Sequence, residues 1–289
     1  EPAIFPVTGG RVNQATPRPH SVNIIFLLTS GQLVVILMAF FERRWLMSGF
    51  VLKHELFGID RGNFNINRIG VPNTVAVLDV LRKKEGLDTV YAPRCSFTNK
   101  IVEIGRDTEA ILDKARWFVR SKGDADGGIV KAAYDAIVIF NADCPIVAVH
   151  HDSSDRLAVL HAGFRCLVPP MMKGKRERSI IRVLFEDHQF PPGDCQVFVG
   201  YGIGPCCFGV TEDHYPELKD FSQDIPYGRV TRGDDRLGWQ SIDLYRLILN
   251  QLLAAKVPHK NISVDFTCTA CAGFSYPQYY SSCRLGTTY

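Results

Sequence analysis

The stretch Ala136-Ile-Val-Ile-Phe-Asn-Ala-Asp-Cys-Pro-Ile-Val-Ala-Val-His-His-Asp-Ser-Ser-Asp-Arg-Leu-Ala-Val-Leu-His-Ala-Gly163 decides the fold. Ala136–Phe140 is a short apolar run of strand length, and Asn141-Ala-Asp-Cys144 is its polar exit. Pro145–Val149 and Leu157–Leu160 are two further strand runs, joined through the turn residues Asp152-Ser-Ser-Asp155. Two strands joined by a tight turn make a hairpin. Cys144 and His161 then fall at the same end of it, 17 positions apart.

Outward from this unit, helices and strands alternate. Asn73–Glu85 spaces Val75, Val77, Leu78 and Leu81 for one helix face, and Gly86 supplies the stop. Val90-Tyr-Ala and Lys100–Ile104 read as strands, Thr108–Arg120 as a second helix, and Gly123–Gly128 as a polar turn. Ile180–Glu186 and Ile242–Ala255 read as helices, Gln196–Val199 and Ile262–Asp265 as strands. The pattern predicts an α/β fold: a single domain with a mixed central β-sheet flanked by helices.

The sequence has 289 residues, 46% of them hydrophobic and 22% charged, enough to bury a sizeable core. Its net charge of +3 comes from interspersed acids and bases, without the clustered Lys and Arg that nucleic-acid binding needs. The densest basic run, Lys173-Gly-Lys-Arg-Glu-Arg178, reads as a solvated helix start. Nine cysteines, an odd number at irregular spacing, argue against a disulfide framework and for thiols in the reducing cytoplasm.

Residues 1–55 read as an N-terminal extension or insertion, and 56–289 as the main domain. Within the first, residues 21–41 carry no charge and are just long enough to span a bilayer, with Arg43 and Arg44 following to orient them. The polar Thr29-Ser-Gly-Gln32 at their centre opposes a membrane anchor, and a buried helix or a segment foreign to the fold stand beside the anchor as alternative readings.

A thiol and an imidazole at adjacent strand ends suit two chemistries. Cys144 and His161 are sulfur and nitrogen donors of the kind zinc prefers, and an open zinc position activates water. A Cys–His nucleophile pair is the alternative. Asp143 is either a hydrogen-bond acceptor and proton carrier beside Cys144 or a loop carboxylate capping backbone N–H groups. Arg165 is either a phosphate clamp or a surface ion-pair partner, and Arg284 has the same two readings. Glycines of Gly200–Gly204, Gly204 among them, permit close backbone approach to a ligand. Cys206 and Cys207 read as packing residues, and Cys268-Thr-Ala-Cys271 as a CxxC without a second pair. His150 and His151 lie too far along their strand from Cys144 to join it.

Three segments carry a family resemblance: Asn141-Ala-Asp-Cys-Pro-Ile-Val147, His161-Ala-Gly-Phe-Arg165 and Gly200-Tyr-Gly-Ile-Gly-Pro-Cys-Cys-Phe208. They resemble, in order and spacing, the ADC, HAGW and GPCC signatures of the multicopper polyphenol oxidase (laccase) domain family, understood as purine nucleoside phosphorylases with adenosine deaminase activity. Asp126-Gly-Gly-Ile129, Ser241-Ile-Asp-Leu244, Cys268–Cys271 and Tyr279–Arg284 extend the similarity over about residues 60–286.

The resemblance implies a zinc held by His, Cys and His, with Cys144 and His161 as second and third ligands. It implies phosphorolysis of adenosine, inosine, guanosine or methylthioadenosine, and deamination of adenine by an activated water. Purine nucleosides and phosphate are then the partners, without nucleic acid or membrane. The segment that should bring the first ligand is Cys95-Ser-Phe-Thr-Asn-Lys-Ile101, where Phe97 stands in the histidine's place. Phenylalanine cannot ligate a metal, so a weakened enzyme and an inactive nucleoside- or partner-binding protein are both expected forms. A copper oxidase ranks last, because the sequence offers too few histidines for a multicopper cluster.

Overall fold

The computed structural model describes residues 18–29, 32–40, 48–57, 72–105, 108–110, 115–130, 135–141, 143–154, 156–169, 171–172, 175–200, 202–210, 229–230 and 240–271. The strands are β1 (Arg18–Thr29), β2 (Gln32–Phe40), β3 (Ser48–Phe57), β4 (Thr89–Arg94), β5 (Ile101–Glu103) and β6 (Thr108–Ala110). They continue as β7 (Phe118–Asp124), β8 (Gly127–Val130), β9 (Asp135–Asn141), β10 (Ile146–His151), β11 (Arg156–His161) and β12 (Met171–Met172). The last are β13 (Lys175–Arg176), β14 (Cys195–Gly200), β15 (Gly209–Val210), β16 (Arg229–Val230), β17 (Gln240–Ile242) and β18 (Ile262–Val264). Four helices accompany them: α1 (Pro72–Glu85), α2 (Phe164–Leu167), α3 (Ile180–Asp187) and α4 (Leu244–Ala254).

The expected α/β class holds, but the strands divide between two mixed sheets rather than one. One runs β3-β1-β2-β9-β4-β7-β6 and the other β18-β14-β10-β11-β8-β5. The Asn141–Cys144 loop therefore carries the chain from one sheet to the other. Gly128 of β8 lets them meet: a Cβ there would lie 2.4 Å from the Tyr91 ring of β4, so only glycine admits that ring.

The second sheet positions the site. β10 and β11 form the expected antiparallel hairpin, with Ile146 opposite His161 at one end and His151 opposite Arg156 at the other. Every residue of β10 is buried. Val147 and Val149 join Val197 and Val199 of β14 in a core covered by Ile180, Ile181 and Leu184 of α3 and Leu247, Ile248 and Leu252 of α4. Burial of each such side chain contributes about 1.5–3 kcal/mol. The two helices start at side-chain caps. Ser179 accepts from the Arg182 N–H at 3.4 Å, and Asp243 from the Arg246 N–H at 3.0 Å. At the end of α1, Gly86 takes φ +67 as expected for a stop, and Leu87 N–H donates to Arg82 C=O at 2.9 Å.

Three local expectations need correction. Thr108–Arg120 is no helix: β6 and β7 form an antiparallel pair, and β7 also pairs in parallel with β4. The β-favouring Trp117-Phe-Val119 run gains more from that edge than from a local helix. The basic run 173–178 does not open a helix either. Lys175 and Arg176 lie in the β12–β13 hairpin, and α3 begins only after Ser179. Arg178 instead forks onto Asp187, with both N–H···O contacts at 2.6 Å.

The apolar stretch 21–41 is also not helical. β1 and β2 pair antiparallel, and β2 joins β9 through Leu33↔Asn141 to Met38↔Ala136. The last pair between the two strands is Thr29↔Gln32, the two outer residues of the polar group that opposed a membrane anchor. Among the described residues, no helix is long and apolar enough to cross a membrane.

Candidate functional site

The site is built around Asp126, which sits between β7 and β8 with no exposure. Its carboxylate gathers the loop that follows β4: Oδ1 accepts the N–H groups of Ser96 at 3.2 Å and Phe97 at 3.0 Å. Oδ2 accepts the Thr98 N–H at 2.5 Å and the Thr98 hydroxyl at 3.0 Å. The same Oδ1 lies 3.0 Å from Nδ1 of His161, the last residue of β11. Burial pushes the Asp126 carboxyl up, but the His161 bond and charge and these backbone N–H groups more than offset it. The carboxylate stays ionised and can only accept, so it holds the His161 N–H at Nδ1 and leaves Nε2 as the ring nitrogen open to other partners.

Thiols surround that imidazole. Cys144 and Cys166 both hydrogen-bond His161, and Cys95 interacts with its charge. Burial disfavours the protonated ring, yet Cys144, Cys95 and the Asp126 bond raise its pKa well above the ordinary value. Burial pushes the Cys95 thiol up to about 12 and that of Cys166 up to about 11. Cys95, Asp126 and His161 bring their donor atoms within 4.8 Å of one another, close enough to hold a metal ion.

Phe97 stands against this group. Its ring centroid is 5.3 Å from that of His161, the residue has φ +60, and 44% of it is exposed. Gly163 closes the other side: a Cβ there would lie 2.7 Å from the Phe97 ring and 3.0 Å from Cys144 Sγ. The aromatic ring thus fills space beside Cys144 and His161. The donor chemistry nevertheless fits a zinc-type ion, with one oriented imidazole and soft thiol ligands.

The remaining expected residues fall around this centre. Cys144 and His161 converge as the hairpin requires. Asp143 is buried at φ +71, its C=O accepts from Ile203 N–H at 2.5 Å and its Oδ1 from the Thr269 hydroxyl at 2.7 Å. Arg165 is exposed on α2, four positions after His161. Gly204 packs against Cys268 and Cys206. His150 and His151 occupy the far end of β10, bonded to Asp152 and Ser154, as their strand positions predict. Arg284 lies outside the described residues.

Two residues were missed in the sequence. Asp126 carried only the family-like Asp-Gly-Gly signal, and Cys95 stands two positions before Phe97 in the very segment expected to ligate. The reading of the late cysteines also needs correction: Cys268 and Cys271 do have a second pair, Cys206 and Cys207, within 4.8 Å.

The comparisons agree with this architecture. A Neisseria meningitidis protein of known structure superposes with TM-score 0.60 at 17% identity, over 92% of this chain and 95% of that one. The crystal structure of YlmD from Geobacillus stearothermophilus superposes with TM-score 0.56 at 20% identity, over 76% of this chain and 80% of that one. In sequence, the chain is 26% identical over 160 residues to that bacterium's protein named purine nucleoside phosphorylase YlmD, covering 54% of this chain and 55% of the relative. It is 25% identical over 150 residues to a Bacteroides thetaiotaomicron protein named purine nucleoside phosphorylase, covering 52% of each. The chain spans about half the length of the curated relatives it matches. The family model described as multi-copper polyphenol oxidoreductase laccase matches residues 78–288, and the chain belongs to that family.

Proposed function

We propose that this chain acts on purine nucleosides with phosphate, cleaving the bond between base and ribose, at a centre formed by His161, Cys144 and Cys95. The observation that carries this reading is the orientation of His161. A buried carboxylate holds one ring nitrogen and leaves the other to face two thiols. That the two curated relatives are named purine nucleoside phosphorylases supports the substrate class.

His161 Nε2, Cys144 Sγ and Cys95 Sγ would hold a zinc ion, with Cys95 replacing the imidazole that Phe97 cannot offer. A zinc ion there supplies Lewis-acid polarisation and, in the deaminase reaction expected of adenosine, activates water. Asp126 fixes the tautomer and the angle of His161. Asp143, next to Cys144, carries a proton to or from the substrate base. Arg165, exposed four positions beyond His161, offers a guanidinium for phosphate. The absence of disulfides among the described cysteines and the family's chemistry favour a reducing, cytoplasmic setting.

One observation favours a second reading, nucleoside binding without turnover: the Phe97 ring lies against His161 and Gly163. The deciding experiment incubates the full chain, loaded with zinc, with inosine, guanosine, adenosine and methylthioadenosine, with and without phosphate. Phosphate-dependent release of free base supports the enzyme, and ammonia from adenosine adds the deaminase. Saturable nucleoside binding without product supports the second reading. Neither binding nor product would sink both.

A further inference from the structure

A second group of thiols lies outside the His161 centre. Cys206 and Cys207 end the turn after β14, and Cys268 and Cys271 bracket a single helical turn after β18. The pairs are 64 or 65 positions apart, yet Cys271 Sγ is 3.5 Å from Cys206 Sγ and 3.3 Å from Cys207 Sγ. All four sulfurs lie within 4.8 Å of one another. None is in a disulfide, whose S–S distance is about 2.05 Å.

We propose that Cys206, Cys207, Cys268 and Cys271 bind a structural zinc ion through four thiolates. A Zn–S distance of about 2.3 Å places the sulfurs of a tetrahedron about 3.8 Å apart, so small outward shifts seat the ion. The backbone is already shaped for it. Gly202 and Cys268 form a parallel bridge, and Thr269 N–H donates to Gly202 C=O at 3.0 Å. Buried Tyr245 ties the same strands: its hydroxyl accepts from Gly202 N–H at 2.8 Å and lies 3.3 Å from Thr267 C=O. Gly204 packs so closely that an added Cβ would be 3.1 Å from Cys268 Cβ and 3.3 Å from Cys206 Sγ.

Binding the ion releases the thiol protons to solvent. The ion would clamp loop 202–208 to segment 265–271. Thr269, between two of its ligands, holds Asp143, and Ile203, three positions before Cys206, holds the Asp143 carbonyl. A metal clamp here therefore supports the loop that carries Cys144. This inference stands whether or not the His161 centre turns over nucleosides.

The test uses the full chain, reduced and metal-free, then loaded with zinc. Alkylation followed by mass spectrometry is expected to label Cys206 and Cys271 readily without zinc. All four cysteines should resist with zinc and become reactive again when a chelator is added. In a Cys144→Ala/His161→Ala variant, cobalt is expected to retain the intense thiolate charge-transfer band of a four-sulfur tetrahedral site. Cys268→Ser/Cys271→Ser should lose it. Equal labelling with and without zinc overturns the proposal, as does a disulfide among the four in the reduced chain. Loss of the band in the Cys144/His161 variant, if it is folded by circular dichroism, also overturns it; if that variant is unfolded, the alkylation result on the unaltered chain decides. Iron with sulfide at the four cysteines would overturn the assignment to zinc.

Discussion

The ring of Phe97 lies 5.3 Å from the ring of His161, so an apolar side chain occupies the flank of the imidazole where a metal ligand would be useful. Phe97 also takes φ +60, which a bulky residue adopts at a cost, whereas histidine is several-fold enriched there. Phe97→His should therefore fold at least as well as the unaltered chain. It should tighten zinc at the His161 centre by about 10-fold or more, the scale on which metal-site partners act. Competition with a chromophoric chelator measures it, best in a Cys268→Ser/Cys271→Ser background. Unchanged affinity would mean position 97 cannot reach the ion.

Gly163 is bounded by the Phe97 ring and by Cys144 Sγ. Gly163→Ala should destabilise by about 1–3 kcal/mol, because the new Cβ overlaps both. Adding Phe97→Ala should restore only part of that loss, since the 3.0 Å approach to Cys144 remains. Urea denaturation of the two single variants and the double variant measures the coupling; simple additivity would refute the shared contact.

Asp143 has φ +71 and accepts a hydrogen bond from Thr269. Asn tolerates this conformation and keeps the accepting oxygen, so Asp143→Asn should leave the melting temperature nearly unchanged. If Asp143 moves a proton, kcat falls on the order of 100-fold or more in the same variant. Thr269→Val, by contrast, leaves a buried carboxylate oxygen short of a donor and should cost about 1–3 kcal/mol. A silent Asp143→Asn in the nucleoside assay would reduce Asp143 to a structural residue.

His151 is buried on β10, its Nδ1 bonded to Ser154 and its Nε2 without a hydrogen-bond partner. Burial, reinforced by Arg156 and His150 against the opposing Asp194 and Asp152, holds its pKa below 6.5; burial does the same to His188. The unfolded chain then takes up protons that the folded chain refuses. The contribution of these two histidines is complete above about pH 6.5 and declines below it, by up to about 1.4 kcal/mol per pH unit for each such proton, whereas the raised His161 contributes most below about pH 6.5. Denaturation at about pH 7.5 and about pH 5.5 should show the decline, and His151→Phe should flatten it. An unchanged slope in His151→Phe would assign the effect elsewhere.

Much of the second sheet was legible in the sequence. Apolar runs of strand length, broken by Asp152-Ser-Ser-Asp155, determine the β10–β11 hairpin, because a two-residue period and a tight turn leave one register. That register alone brings Cys144 and His161 to one end and sends His150 and His151 to the other. Helices α1, α3 and α4 were legible for the same reason, since each carries its own apolar period and a cap or stop. Local spacing failed at Thr108–Arg120 and left residues 21–41 open, and pairing of β7 with β4 and of β2 with β9 decided these segments. The Cys95–Asp126–His161 group and the four-thiol cluster were decided only by the tertiary structure. Asp126 reaches the 96–98 loop about 30 positions upstream and His161 35 positions downstream, and Cys206 meets Cys271 at a separation of 65. A sequence fixes which donors exist and how neighbours along one element face; which distant donors share a few ångströms is set by the packing of separate strands, which no local period encodes.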